Sequence, residues 1–254
     1  MTTEPTGRRI RGVQIGVSVI ELLQREGTLG VTAIANELGH SKSTVHSHLR
    51  TLADEGLVVA EDGGYRLSLK FLSIARDVRD QVADYDVIEN EVDELAFETG
   101  EIVQFGIEEY ERVSYLYKAA GDRAVTTASR IGTQQPIHST ALGKTILAHL
   151  PADHREGIVD ALDLDGRTET TITDRQALRE ELDRIVDRGY GIDDEENIQG
   201  LRCVAAPVLD DDEVLGAISI SGPSSRITDE RLHGDLADSV RRAANVIELN
   251  TKFG

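Results

Sequence analysis

The chain has 254 residues, 39% of them hydrophobic but only 4% aromatic and none Trp, so it holds one large domain or two modest ones around Val, Ile, Leu and Ala. A single cysteine, Cys203, excludes an internal disulfide framework and a multi-cysteine metal site. No apolar run nears the roughly 20 residues of a membrane span, and the polar, Arg-bearing start lacks a signal-peptide core, so a cytoplasmic protein is expected. With 46 acidic and 27 basic residues the net charge is −19, and only five of the basic residues are lysines. An acidic, Lys-poor surface points to a salt-rich cytoplasm, beside the plainer reading of an ordinary acidic protein.

From the N-terminus, Ile15, Val19, Leu22 and Leu23 have helical spacing within Val13–Arg25, ended by Gly27 and Gly30. Val31–Leu38 predicts a second, short helix, and Gly39-His40 a tight turn. Ser41 offers an N-cap for a third helix reaching Glu55, with Val45, Leu49 and Leu52 inward. Two short strands, Leu57–Val59 and Tyr65–Leu67, flank Glu61-Asp62-Gly63-Gly64. Helix, helix, turn, helix and hairpin make a winged helix-turn-helix.

The third helix would enter the major groove by its N-terminal half, presenting Ser41, Lys42, Ser43, Thr44, His46, Ser47 and Arg50. Hydroxyls suit phosphates or base edges, and Lys and Arg suit phosphate or guanine. His48, three residues after Val45, should be half-buried rather than a base reader. Arg8, Arg9 and Arg11 read as a mobile arm for phosphates or a minor groove. Tyr65 and Arg66 on the wing would touch the backbone. For each of these the competing reading is a solvated surface side chain, and for the module as a whole it is a protein-interaction winged helix. Residues 1–75 hold eight basic and eight acidic residues, so the whole net charge falls on the rest of the chain. Such a neutral head binds DNA through short-range groove contacts where salt screens charge within about 3 Å at 1 M.

Lys70–Tyr85 predicts a connecting helix that could also supply dimer contacts. Val87–Thr99 predicts another helix, followed by strands over Ile102–Ile107, Val113–Tyr117 and, more weakly, Ala124–Ser129. Helices are expected over Ser139–His149 and Asp174–Arg188, strands over Cys203–Leu209 and Val214–Ser221, and a terminal helix over Thr228–Thr251. Antiparallel strands flanked by helices give an α+β domain.

Three runs in this half carry a family resemblance. They are Gly132–Lys144 (GTQQPIHSTALGK), Gly189–Glu196 with Gly200–Val208 (GYGIDDEE, GLRCVAAPV), and Gly216–Pro223 (GAISISGP). In this order, behind a winged helix, they resemble the ligand domain of IclR-family transcriptional regulators, and the resemblance covers about Gly12 to Asn250. It implies a winged helix-turn-helix over 8–69, a linker helix over 70–86, and a GAF-like effector-binding and oligomerisation domain over 87–254. It implies a homodimer or dimer of dimers on a palindromic operator in double-stranded DNA, with a small-molecule effector. Carried over residue by residue, the effector pocket would use Ala141, Leu142, Asp193, Leu201, Cys203, Ser219 and Ser221. Related members often have Gly where Ala141 and Leu142 stand.

The chemistry of those positions suits small oxo- or hydroxy-acids and sugar catabolites. Ala141 and Leu142 lie in a predicted first helical turn, whose free N–H groups attract anions. Ser219 and Ser221 alternate on one strand and face one side. Asp193 can accept from a ligand hydroxyl. Pairs of serines also occur in plain cores, bonded to backbone. An enzyme would need Cys203 and His138 as nucleophile and base, but Cys203 sits in an apolar run where an inert thiol is commoner; a redox sensor is the other use of that thiol. The seven histidines form no convincing metal set, and the glycines form no phosphate loop, so no cofactor or metal is expected. A ligand-sensing interaction module without DNA binding is the alternative function.

Overall fold

The computed structural model describes residues 9–82, 85–211 and 213–253, arranged in two compact units that divide between Gln81 and Val82. Among the described residues no helix is long and apolar enough to cross a membrane.

The first unit contains α1 (Arg11–Glu26), α2 (Val31–Leu38) and α3 (Lys42–Asp54), then β1 (Val58–Glu61) and β2 (Gly64–Leu67). Each helix buries one stripe: Val19, Leu22 and Leu23 of α1 meet Ile34 and Ala35 of α2 and Val45 and Leu49 of α3. Burying that many aliphatic side chains, each worth about 1.5–3 kcal/mol, holds so small a unit together. Gly39 ends α2 in the left-handed conformation (φ 66°) and frees the chain to turn into α3. The strands pair antiparallel from Val58↔Leu67 to Glu61↔Gly64. Leu29 adds a third rung, exchanging backbone hydrogen bonds of 3.0 and 2.9 Å with Tyr65. Gly64 makes this possible: at φ 153°, a Cβ there would lie 2.3 Å from the Leu29 carbonyl oxygen. After the wing, α4 (Lys70–Arg79) buries no residue.

The expected helix over 70–86 is in fact two elements. α4 stops at Arg79, and Tyr85 opens α5 (Tyr85–Thr99). Tyr85 is drawn into the second unit, buried and edge-on to Tyr117 at 5.9 Å.

The second unit is built on one antiparallel sheet of order β5-β4-β3-β8-β7-β6. Its strands are β3 (Ile102–Glu109), β4 (Arg112–Ala120), β5 (Gln134–Pro136), β6 (Gly191–Asp194), β7 (Leu201–Asp210) and β8 (Glu213–Pro223). Alternation sorts side chains to its two faces. Val204, Ala206, Val208, Ile218 and Ile220 face α5 and α10 (Asp235–Phe253). Cys203, Ala205 and Ala217 face α6 (Ala141–His149), α7 (Ala152–Ala161) and α8 (Arg175–Arg188). An α+β unit with helices on both faces of one antiparallel sheet results.

Two expectations fail locally, and some elements were not foreseen. Residues 124–129 form no strand, because β5 takes the place beside β4, pairing Arg112–Ser114 with residues 134–136. The terminal helix is interrupted at Gly234, which leaves helical geometry at φ −108°, ψ −110° between α9 (Asp229–His233) and α10. Finally, α7 and β6 are elements that the periodicity did not announce: α7 buries only Ile158 and Val159.

Candidate functional site

The outward face of α3 is made by its own capping. Ser41 Oγ accepts from the Thr44 N–H at 3.1 Å and lies 2.9 and 2.8 Å from the hydroxyls of Ser43 and Thr44. Ser47 donates to the Ser43 carbonyl at 3.0 Å. These hydroxyls serve the helix first. Lys42, His46 and Arg50 are exposed beside them, and Arg50 lies 4.0 Å from Asp54. His48 is half-buried, its ring 3.8 Å from where a Gly12 Cβ would be.

Other expected DNA contacts change character. Arg11 is the first residue of α1, not part of an arm; Arg9 precedes it, exposed, and Arg8 lies outside the described residues. Tyr65 is half-buried against the core of the unit. Arg66 is committed within the wing, with Nε donating to Glu61 at 2.8 Å and Nη1 to the Leu67 carbonyl at 3.0 Å.

In the second unit a cavity of about 210 Å³ lies between the start of α6 and the sheet. All seven expected residues, Ala141, Leu142, Asp193, Leu201, Cys203, Ser219 and Ser221, line it. Strand register explains why. Asp193, Cys203 and Ser221 are successive cross-strand partners on β6, β7 and β8. A second row runs Ser219, Gln104, Lys118 across β8, β3 and β4. Above these rows Thr140 caps α6, its Oγ1 accepting from the Gly143 N–H at 3.0 Å. The N–H groups of Ala141 and Leu142 have no intrahelical acceptor. Gly143 lets this turn come close: a Cβ there would stand 2.2 Å from the Ile137 carbonyl oxygen.

The wall also contains residues that the sequence reading did not name. Gln104 and Tyr115 rise from the sheet, Thr127–Ser129 form one side, and Arg167 and Asn197 stand at loops. A polar Gln inside the apolar run Ile102–Ile107 was the available signal for Gln104. Arg167 is exposed and donates to the Asn197 carbonyl at 3.3 Å. A more open groove of about 700 Å³ adjoins at these two residues, between the 166–170 and 194–199 loops.

Behind the cavity floor charges are buried together. Lys144 is 1% exposed and forms a short ion pair with Glu196, whose Oε2 is buried without a hydrogen-bond partner among the described residues. Asp193 is 2% exposed, and its Oδ1 already accepts from the N–H groups of Glu196 and Asn197 at 2.7 and 3.2 Å. Burial raises its carboxyl from 3.8 to about 7; Lys144 opposes that rise and Glu196 adds to it. With its carboxyl raised towards neutrality, Asp193 can donate as well as accept. The Cys203 thiol is pushed well up by burial and by Asp193, which disfavours the thiolate form. His138 bonds instead to the Asp165 carbonyl at 3.2 Å, and burial lowers its basicity.

Comparison with known proteins fits this arrangement. Residues 12–62 match the IclR helix-turn-helix domain, and residues 82–249 match the bacterial transcriptional regulator IclR C-terminal domain. This chain belongs to the IclR family of transcriptional regulators. It is 32% identical over 247 residues to a probable HTH-type transcriptional regulator, ArcR, of Halobacterium salinarum, covering 95% of this chain and 94% of the relative. It is 33% identical over 217 residues to the HTH-type transcriptional regulator KdgR of Escherichia coli, covering 84% of this chain and 82% of the relative. The crystal structure of the Thermotoga maritima IclR superposes with a TM-score of 0.80 at 26% identity, covering 95% of this chain and 97% of that one. As an IclR-family member this chain is a DNA-binding transcriptional regulator with a C-terminal effector-binding domain. The relatives it matches are regulators, not enzymes.

Proposed function

We propose that this IclR-family regulator sits in the cytoplasm and binds a palindromic operator as a homodimer or dimer of dimers. A small oxo- or hydroxy-acid or sugar catabolite in the cavity then modulates that binding. The observation that carries the effector reading is the convergence of Asp193, Cys203, Ser219 and Ser221 with the first turn of α6 around one cavity. Serine hydroxyls and the Asp193 carboxyl suit hydroxyl and keto oxygens, and the helix N-terminus suits a carboxylate. Operator contacts fall to Lys42, Ser43, His46 and Arg50, with Arg9 near a minor groove. Assembly is supported by unpartnered apolar side chains: Val13 and Val17 on α1, and Leu72, Ile74 and Val78 on α4, are all exposed. Carboxylate excess and scarce lysine support a salt-rich setting. No catalytic role is assigned.

Effector binding would shift the relative placement of paired winged helices, a two-state change in their fit to half-sites. Coupling would pass along residues 70–85. The test pairs operator footprinting with calorimetry on a panel of small acids. Ser219→Ala should abolish the response to acid while leaving DNA binding by the empty protein, and Arg50→Ala should do the reverse. Loss of both activities in both variants would overturn this division of labour. Effector binding with no operator anywhere would favour the interaction-module alternative.

A further inference from the structure

Lys118 stands on β4 opposite Gln104, in the row that crosses the cavity floor. Its ammonium donates to Thr127 Oγ1 at 2.7 Å, to the Ser129 carbonyl at 2.8 Å and to Ser129 Oγ at 3.0 Å. All three acceptors belong to residues 121–133, which contain no helix or strand, and Thr127–Ser129 form part of the cavity wall. The same latch includes Gln104 Nε2, which donates to Ser129 Oγ at 3.2 Å, and the Thr127 and Ser129 hydroxyls, 3.0 Å apart.

None of these partners is charged. Among the described residues the lysine ion pairs are Lys144–Glu196 and Lys252–Asp211; Lys118 has none. In a chain with 46 acidic residues, a half-buried lysine held only by neutral oxygens is conspicuous. Burial, uncompensated by any carboxylate, pushes its ammonium below the usual lysine range. A carboxylate is a stronger partner for the ammonium than a hydroxyl or carbonyl, because it adds attraction between opposite full charges in a partly desolvated site.

We propose that Lys118 is an anion-recognition residue of the effector cavity, beside the N-terminus of α6. An effector carboxylate replaces the Thr127 and Ser129 oxygens on the ammonium, and the exchange releases residues 127–129 from the sheet. The lysine stands one layer behind the wall and is reached as Ser129 moves aside. This inference rests on the effector reading above. It adds a side chain that holds the acid group and a local change that reports its arrival.

The experiment is calorimetry on the full-length protein with pyruvate and glycerate, each beside its neutral amide. Limited trypsin digestion at Arg123 and Arg130, which flank the latch, runs in parallel. The wild type should prefer each acid to its amide. K118M should lose about tenfold or more in acid affinity, with little change for the amides. K118R should retain the preference. T127V keeps the ammonium but removes one competing oxygen, so it should bind the acids several-fold more tightly. Acid should raise tryptic cleavage at Arg130 in the wild type, and K118M should be cleaved at that raised rate without acid. A folded K118M that keeps the full wild-type preference for acid overturns the role of Lys118 and leaves the effector class standing. If K118M fails to fold, T127V decides: unchanged acid affinity overturns the proposal. A wild type that binds none of the four probes overturns the effector reading and this inference together.

Discussion

The two units put their polar chemistry in opposite places. The core of the first unit is wholly aliphatic apart from Tyr65 at its margin, and among the described residues it buries no polar or charged side chain. The second unit buries Gln104, Lys144, Asp193, Glu196, Ser219 and Ser221 under or around its cavity. A surface that meets DNA needs only a rigid helix behind it. A pocket that meets a metabolite must place polar groups in the interior and satisfy each of them, because an unpaired buried group costs about 1–3 kcal/mol. Stability and recognition are therefore separable in the first unit and entangled in the second.

The sharpest attempt to break that contrast is Lys144→Met. It strands Glu196 and Asp193 without their cation, and removal of one partner from a buried pair costs about 3–5 kcal/mol. Urea unfolding should show that loss, and effector binding should vanish with it. Leu49→Ala is the counterpart in the aliphatic core and should cost about 2–4 kcal/mol. It should abolish operator binding while calorimetry on the cavity stays unchanged.

A third prediction uses pH. The unfolded chain releases the Asp193 proton near 3.8 and the folded chain near 7, so between these values the folded state holds more protons. The contribution of Asp193 to stability is full below about pH 4 and is lost as pH rises towards 7. Asp193→Asn should flatten that fall, read as the variant-minus-wild-type difference in Tm across the range. A parallel shift at every pH would show that Asp193 does not titrate there.

The smaller effects lie on the DNA face. Arg50→Ala, on an exposed side chain loosely paired with Asp54, should weaken operator binding by about tenfold and change folding stability by no more than about 0.5 kcal/mol. Arg66→Ala should weaken binding only a few-fold, because its guanidinium is already tied to Glu61 and Leu67. Equal effects from the two would mean that the wing contributes as much as α3.

The winged unit was legible because its signals are local. Ser41 as a cap, Gly39 as a stop and the paired glycines of the wing each act within a few residues, so predicted and observed boundaries fall close together. The seven cavity residues were legible for another reason, the motifs Gly132–Lys144, Gly189–Glu196, Gly200–Val208 and Gly216–Pro223. Gln104, Tyr115 and Lys118 were not, because they join the site through β3 pairing with β8, across more than a hundred residues of chain. Nothing in the sequence around Ile102–Ile107 states that register. The surroundings of Arg11 and Tyr65 were not legible either: Arg11 opens α1 and Tyr65 packs against the core, placements that the residue types alone do not state.

The rung between Leu29 and Tyr65 has a thermodynamic consequence. It ties the wing to the turn before α2 through two backbone bonds, closed over a position only glycine can fill. A wing held in place before it meets a duplex has little conformational freedom left to surrender on docking, so association should carry a small ordering penalty. Replacing Gly64 by a larger residue would move that penalty from folding to binding: the free protein would gain a loose wing, and each encounter with DNA would have to order it anew.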